Sequence, residues 1–212
     1  GVTWKSKIMP LRVLNDKGEG RIGAVIRAID YAVANGADII NLSFVTYNYS
    51  EALQEAIARA YRAGVIIVAA AGNDETTGEG RNTSKSPIYP ACMDGSNGEN
   101  MVIGVAATDA LDQKATFSSY GFDCIDLTAP GISFFNTITY GGNPQAADKN
   151  YDGYWSGTSM AAPIVSGVMA LVAQVNPDLS RSEIINLVLA SANNTSMLNP
   201  AYLGQLGHGR VN

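Results

Sequence analysis

The first half of the chain alternates apolar runs of strand length with segments of helical periodicity, and this alternation constrains the fold most. The runs are "KIMPLRVL" (Lys7–Leu14), "ADIINLSF", "VIIVAAAGN" and "MVIGVAATD". The third run is continuously apolar, as expected for a strand that is covered on both faces. Helices that connect parallel strands cover the sheet. We therefore predict an α/β fold with three layers, a mostly parallel twisted sheet with helices on both faces, in a single domain over residues 1–212.

Signals at helix ends support these assignments. The first helical segment ends before Gly36, a residue suited to the C′ position, and the second follows Ser50, a typical N-cap. Near the C-terminus, Ser180-x-x-Glu183 predicts a capping box at the start of a further helix. Between Thr108 and the helix that opens at Ser159, the chain is rich in Gly, Ser and Tyr, which predicts loops and short strands.

Composition excludes several classes of protein. The formal net charge is −5, so we predict no nucleic-acid partner, which would require a basic surface. Polar residues or proline interrupt every stretch that approaches about 18 apolar residues, and we predict no membrane span. A single histidine and two widely spaced cysteines make a zinc site improbable, and we predict no metal ligands.

The segment "GTSMAAP" (157–163) carries the strongest chemical signal. It predicts a sharp turn at Gly157, a helix start at Ser159 and a close approach of neighbours at the following alanines, with Pro163 expected in the first turn. A hydroxyl at the positive end of a helix can attack a carbonyl while its own backbone N–H stabilises the oxyanion. The alternative is that Ser159 is only a helix cap.

Asn73 is the second candidate. It follows a buried strand, at the edge of a parallel sheet where ligands usually bind, and its side-chain amide could point into a cleft. The alternative is a turn-forming Asn-Asp pair after Gly72.

These segments resemble the subtilisin-like serine proteases over nearly the whole chain, from about Ile8 to Asn212. "GTSMAAP" is similar to the family's nucleophile motif, and "FSSYGFDCIDLTAPG" and "GHGRVN" are similar to two later motifs. The resemblance implies that Ser159 is the nucleophile, that Asn73 donates to the oxyanion hole, and that an extended polypeptide is the substrate. It also implies substrate contacts from Ser43, Phe44 and Val45 on one wall, Ala70, Ala71 and Gly72 on the other, Thr158 beside the nucleophile, and Gly18, Glu19 and Gly20 at an edge.

The wall residues predict an apolar pocket that prefers large apolar side chains. Val45 departs from the glycine that is usual in the family, which puts the shape of the pocket in doubt.

The family's Asp and His motifs are missing from this sequence. The only histidine, His208, stands in a C-terminal turn and is a poor candidate for the base. We expect a chain truncated at the N-terminus, whose base lies in a missing N-terminal segment, and which alone is inactive. The alternatives are a catalytically dead peptide-binding module and, less well supported, an α/β-hydrolase, in which Asp and His would follow the serine. A propeptide is a further possible partner.

Some secreted relatives carry a disulfide in the region of Cys92 and Cys124, so the resemblance implies a disulfide and an extracellular location; two free thiols are the alternative. Calcium is common in the family. No loop here has a defensible ligand spacing, and no cofactor is required for the chemistry.

Overall fold

A four-stranded parallel sheet forms the centre of the structure. The computed structural model describes residues 2–74, 77–138 and 150–212. The strands are β1 (Ile39–Leu42), β2 (Ile66–Ala70), β3 (Ile103–Thr108) and β4 (Leu127–Pro130). They pair in chain order, and every pair is parallel. The three later apolar runs of the sequence therefore form β1, β2 and β3, as predicted.

Helices cover both faces of this sheet. They are α1 (Ile22–Ala34), α2 (Glu51–Arg62), α3 (Thr158–Val175) and α4 (Arg181–Ser191). Alternate residues of β2 divide between two hydrophobic clusters: Ile67 and Ala69 pack with α1 and α2, whereas Ile66, Val68 and Ala70 pack with α3 and α4. Because side chains of a strand alternate between its faces, this division confirms the three-layer α/β architecture.

The predicted helix ends are confirmed. Gly36 follows α1 with φ +74°, a conformation that favours glycine. The hydroxyl of Ser50 accepts a hydrogen bond from the Leu53 amide, and both halves of the Ser180–Glu183 capping box are present. The region after Thr108 also contains the expected loops and short strands, with β5 (Phe134–Thr137) and β6 (Tyr151–Trp155) forming an antiparallel hairpin.

Lys7–Leu14 does not form the first strand that its apolar residues predict. The run is extended, Ile8 is 84% exposed, and the only backbone bridge of this run is from Leu14 to Gly20 in its own turn. A strand requires a neighbour for its N–H and C=O groups, and among the described residues no strand lies beside this run. β1 also has an unpaired edge in the described structure, since β2 is its only described neighbour.

α3 is apolar on all sides, which predicts a helix that is buried all round, but it is shielded on one face only. Ala161, Ala162, Val165 and Met169 are buried against the sheet, but Leu171 is 40% and Val175 77% exposed. By length and mean hydropathy (1.6 over 18 residues), α3 could cross a membrane, in spite of its serines and proline. Because it contacts all four strands, we describe it as a helix of the core.

Candidate functional site

The loops after β1 and β2 meet the start of α3 around one cavity of about 440 Å³. Six of the predicted site residues line it: Phe44, Val45, Gly72, Asn73, Thr158 and Ser159. This position, beyond the carboxyl ends of parallel strands, is where open α/β sheets usually bind ligands. The structure thus brings Ser159 and Asn73 into one cleft.

Ser159 is the second residue of α3 and is half-buried. Its backbone N–H lies in the first turn, where no helical carbonyl can accept from it, and it has no acceptor in the described part of the chain. Its hydroxyl donates to the carbonyl oxygen of Ser43 at 3.1 Å. A backbone carbonyl cannot remove the proton, so the hydroxyl is held in place but is not activated.

Pro163 lies in the second turn of α3, not in the first turn as predicted, and this position has a consequence for Ser159. Since proline has no N–H, the carbonyl of Ser159, four residues earlier, loses its helical donor. The hydroxyl of Ser43 donates to that carbonyl at 3.1 Å instead. Ser43 and Ser159 therefore exchange two hydrogen bonds, which join the end of β1 to the start of α3.

A second pair of side chains extends this connection. The amide of Asn41 donates to the hydroxyl of Ser43 at 2.8 Å, and the hydroxyl of Ser166 donates to the Asn41 oxygen at 3.0 Å. Ser43 is thus oriented from β1 and from the next turns of α3.

Asn73 is held by its side-chain oxygen. Its Oδ1 accepts from both the amide and the hydroxyl of Thr158, each at 3.0 Å, while the Thr158 hydroxyl in turn accepts from the Gly72 amide at 3.1 Å. These bonds leave the Nδ2 group as the free donor of Asn73, since none of the described residues accepts from it.

The free donors of Asn73 and Ser159 surround a single point. A Cβ atom built on Gly157 would lie 3.0 Å from Asn73 Nδ2 and 3.7 Å from the Ser159 amide nitrogen. Gly157 has φ +157° and carries no side chain, so this space stays open. Two N–H donors around one open point can stabilise a negative oxygen, especially at the positive end of a helix.

Side chains of the protein itself fill the space between the two predicted walls of the substrate pocket. A Cβ on Gly72 would lie 3.3 Å from both Val45 Cγ1 and Ile88 Cδ1, and Ile88 is 1% exposed. Ala70 and Ala71, predicted as substrate contacts, are completely buried in the sheet and its continuation, so their side chains cannot line the cavity. A lining role for these side chains is therefore wrong, and a contact of their backbone with a substrate stays a prediction.

Three lining residues were not among the predicted site residues: Tyr47, Asp74 and Arg81. The guanidinium carbon of Arg81 lies 4.5 Å from the ring centroid of Tyr47, as in a cation–π contact. With Asp74 and Arg81 at its margin, the cavity is more polar than the wall residues predicted. Tyr47 and Asp74 follow β1 and β2 closely, which was their only available signal in the sequence, whereas Arg81 comes later in the connection after β2.

Gly18, Glu19 and Gly20 do not line this cavity in the described structure. They belong to a turn in which the Asn15 amide donates to the Glu19 carbonyl at 2.8 Å. A Cβ on Gly20 would lie 2.6 Å from the carbonyl oxygen of Val13, so the close approach that this glycine permits is within its own turn. Their contact with a peptide stays a prediction.

His208 lies at the opposite end of β4 from Ser159. Its Nδ1 is 3.4 Å from the carbonyl oxygen of Asp126, just before β4, whereas the Gly157 amide donates to Gly131, just after β4. A strand advances by about 3.3 Å per residue, which separates the two ends by about 16 Å. The one histidine of the chain therefore cannot act on Ser159 in this structure.

Two carboxyl groups at that far edge have perturbed acidity. Burial raises the pKa of Asp126 to about 7, although the Gly104 amide, at 2.7 Å, and the Asn100 side chain both donate to it. Burial also raises the pKa of Asp94. A disulfide joins Cys92 to Cys124 in the same region. Within the described residues, no group of three or more His, Cys, Asp or Glu side chains could hold a metal ion.

Comparison with known proteins agrees with the fold. Subtilisin DY of Bacillus licheniformis is 36% identical over 194 residues, which are 92% of this chain and 64% of that protein. The thermophilic serine proteinase of Bacillus sp. (strain AK1) is 38% identical over 82% of this chain and 37% of its own length. The chain thus spans less than two thirds of these relatives.

Solved structures give the same result. A protease from Pseudoalteromonas arctica PAMC 21717 superposes with a TM-score of 0.78 at 28% identity, covering 100% of this chain and 62% of the other. A cold-adapted subtilisin-like serine proteinase superposes with a TM-score of 0.71 at 28% identity, covering 95% of this chain and 63% of the other. The model of the subtilase family, Peptidase_S8, matches residues 1–209, and the chain therefore belongs to this family.

Proposed function

We propose that this chain carries the nucleophile and the oxyanion hole of a secreted serine endopeptidase. The observation that carries the proposal is that Asn73 Nδ2 and the Ser159 amide nitrogen lie 3.0 and 3.7 Å from one open point, and that both residues line the same cavity. In acyl transfer, the hydroxyl oxygen attacks the peptide carbonyl, whose oxygen becomes negative and is stabilised by these two donors.

The base comes from outside this chain in our proposal. Before attack, the Ser159 hydroxyl must turn away from the Ser43 carbonyl and give its proton to a base, and the only histidine, His208, is about 16 Å away along β4. A histidine from a further segment of the protein, oriented by its own carboxylate, would take the proton and later pass it to the leaving amine. The exposed side of α3 and the open edge of β1 are surfaces that such a segment could cover.

The substrate in this proposal is an extended polypeptide that enters the cavity beside Phe44 and Asn73. A propeptide could occupy the same cleft. The disulfide between Cys92 and Cys124 supports an extracellular location, because disulfides persist in oxidising compartments. The chemistry needs no cofactor, and a structural calcium ion stays a prediction without identified ligands.

The test is peptide hydrolysis by the longer protein in which this chain occurs, compared with the isolated 212-residue chain. We expect turnover by the longer protein to fall by about 10⁴ or more on Ser159→Ala, and the isolated chain to be almost inactive. Ser182→Ala, a serine in the first turn of α4, is the matched control and should leave turnover unchanged.

A peptide-binding module without catalysis is the second candidate. It is favoured by the hydrogen bond of the Ser159 hydroxyl to a carbonyl, which leaves the nucleophile unactivated. If the longer protein binds peptides but Ser159→Ala does not change their slow hydrolysis, this second function is correct and the first is wrong.

A further inference from the structure

Lys114 is a buried cation that lies behind the loop carrying Asn73. Lys114 lies six residues after the end of β3 and is 8% exposed. The ammonium group donates to the backbone carbonyls of Ala115 and Ser118 at 2.8 Å, Thr116 at 3.0 Å and Glu79 at 3.2 Å. Four carbonyl oxygens thus surround one positive charge, an arrangement similar to the oxygen shell of a bound metal ion.

Two aromatic rings complete this surrounding. Nζ of Lys114 lies 4.8 Å from the ring centroid of Tyr202 and 5.4 Å from that of Tyr120. None of the described carboxylates forms an ion pair with Lys114. Burial lowers the pKa of Lys114 to about 8, so the ammonium form predominates at neutral pH. The charge of Glu79 acts in the opposite direction to burial and favours the ammonium form. Backbone dipoles and ring faces are the groups in direct contact with the charge, and they are fixed only while the surrounding turns keep their shape.

The turn that surrounds Lys114 is bonded to the chain on both sides of Asn73. Ser118 forms an antiparallel bridge with Asn73. The Asp74 amide donates to the Phe117 carbonyl at 2.9 Å, and the Ser119 amide donates to the Gly72 carbonyl at 3.0 Å. The position of Asn73 thus depends on the turn from 115 to 119, and the carbonyls of that turn point to Lys114.

The backbone at Gly80 packs tightly against the Ser118 carbonyl, so little space remains around this turn. A Cβ on Gly80 would lie 1.9 Å from the Ser118 carbonyl oxygen, the same oxygen that accepts from Lys114. Without the ammonium, the converging carbonyls would repel one another, and those of Thr116 and Ser118 would lack a donor among the described residues, because burial keeps water away. The Ala115 carbonyl would keep the Ser118 amide, at 2.9 Å.

We propose that Lys114 serves as a built-in cation that holds the turn from 115 to 119 and thereby positions Asn73 for oxyanion stabilisation. The catalytic part of this inference rests on the proposed function. Lys114 does not line the cavity, so it is a positioning residue and makes no substrate contact.

The first test measures order in the longer protein that contains this chain and needs no activity. Amide hydrogen exchange followed by NMR compares the wild type with Lys114→Met, which keeps an unbranched side chain one atom shorter and removes the ammonium group. We expect exchange at Asp74 and Ser119 to accelerate by about tenfold or more, because one hydrogen bond has its acceptor on the released turn and the other has its donor there. The Ala71 amide, which donates to Val105 inside the sheet at 2.9 Å, should not change.

The second test measures catalysis in the longer protein. Lys114→Met should lower kcat by about tenfold or more with KM nearly unchanged, because the oxyanion donor acts in the transition state. In an Asn73→Ala background the same change should have much less effect, since the two residues act through one donor. Lys85→Met, at an exposed lysine, is the matched control and should leave kcat unchanged.

If Lys114→Met does not fold, chemical rescue of a second variant tests the inference instead. Lys114→Ala removes a propylammonium group, so n-propylammonium should restore part of kcat and of the slow exchange, whereas n-propanol, of similar size but neutral, should not. Unchanged exchange at Asp74 and Ser119 in Lys114→Met would overturn the inference, as would full additivity with Asn73→Ala. An inactive wild type with accelerated exchange in Lys114→Met would refute only the proposed protease function.

Discussion

Gly157 is important to the candidate site because it has no Cβ atom. Its missing side chain leaves open the point around which Asn73 Nδ2 and the Ser159 amide converge. We predict that Gly157→Ala lowers kcat of the longer protein strongly, because the methyl group would lie 3.0 Å from Asn73 Nδ2 and occupy the space for the oxyanion. Steady-state kinetics with a peptide substrate measures this effect.

Gly23→Ala is the control for this substitution. Gly23 lies in α1, where a Cβ would have no contact shorter than 3.6 Å, so alanine should stabilise the helix by about 0.5–1 kcal/mol without affecting kcat. Equal kcat for Gly157→Ala and the wild type would contradict the assignment of the oxyanion hole.

Individual residues also show which parts of the candidate site could be predicted from the sequence. Ser159 and Asn73 could be found because a short motif and a strand end define them without knowledge of their neighbours. Arg81 and Lys114 could not, because their contacts depend on how loops distant in sequence fold against each other. Pro163 illustrates the limit: its lack of an N–H follows from the residue type, but the effect depends on Ser43, which is 116 residues from the serine that it contacts.

At the scale of elements, the filled wall space controls which side chains fit beside Ser159. Val45 and Ile88 both lie against Gly72, between the segments that follow β1 and β2. We predict that Val45→Gly opens this space and raises kcat/KM for peptides with a large apolar residue at the cleaved position, relative to peptides with alanine there. Competition between the two peptides, analysed by mass spectrometry, gives the ratio directly.

An unchanged ratio in Val45→Gly would mean that substrate side chains bind elsewhere in the cavity, for example near Arg81. Phe44→Leu is a useful control because Phe44 lines the same cavity but is not among the nearest contacts of Gly72.

Element prediction succeeded wherever a segment contains its own signals. The ends of α1, α2 and α4 follow from a glycine or a capping serine within the segment itself. It failed for Lys7–Leu14, since an apolar extended run becomes a strand only beside a partner. Likewise, the apolar composition of α3 predicts that it needs cover, but does not identify the molecule or segment that provides it.

At the scale of the whole molecule, the stability of the chain should depend on the ionisation of Asp126. Burial raises the pKa of this group from 3.8 to about 7, with the neighbouring charge of Asp94 acting in the same direction. The folded protein therefore keeps a proton that the unfolded chain has already lost between these values. This stabilising contribution is complete below about pH 4 and disappears as the pH rises through about 7.

We accordingly predict that the free energy of unfolding of the wild type decreases from pH 5 to pH 8 more than that of Asp126→Asn. Urea denaturation at several pH values measures the difference. Asp123→Asn, at an exposed aspartate only three residues away, should follow the wild type. Parallel pH profiles for the wild type and Asp126→Asn would show that Asp126 is ionised throughout this range.

The Lys114 ammonium group behind Asn73 differs from a bound metal ion because its binding does not depend on concentration. A metal ion bound in a carbonyl shell dissociates on dilution, competes with other ions and can be withdrawn by a chelator, so the order that it maintains varies with its free concentration. Lys114 is covalently part of the chain, and its occupancy of the four carbonyls does not depend on concentration. The loop that carries Asn73 therefore needs no dissociable ion at this position to keep its shape.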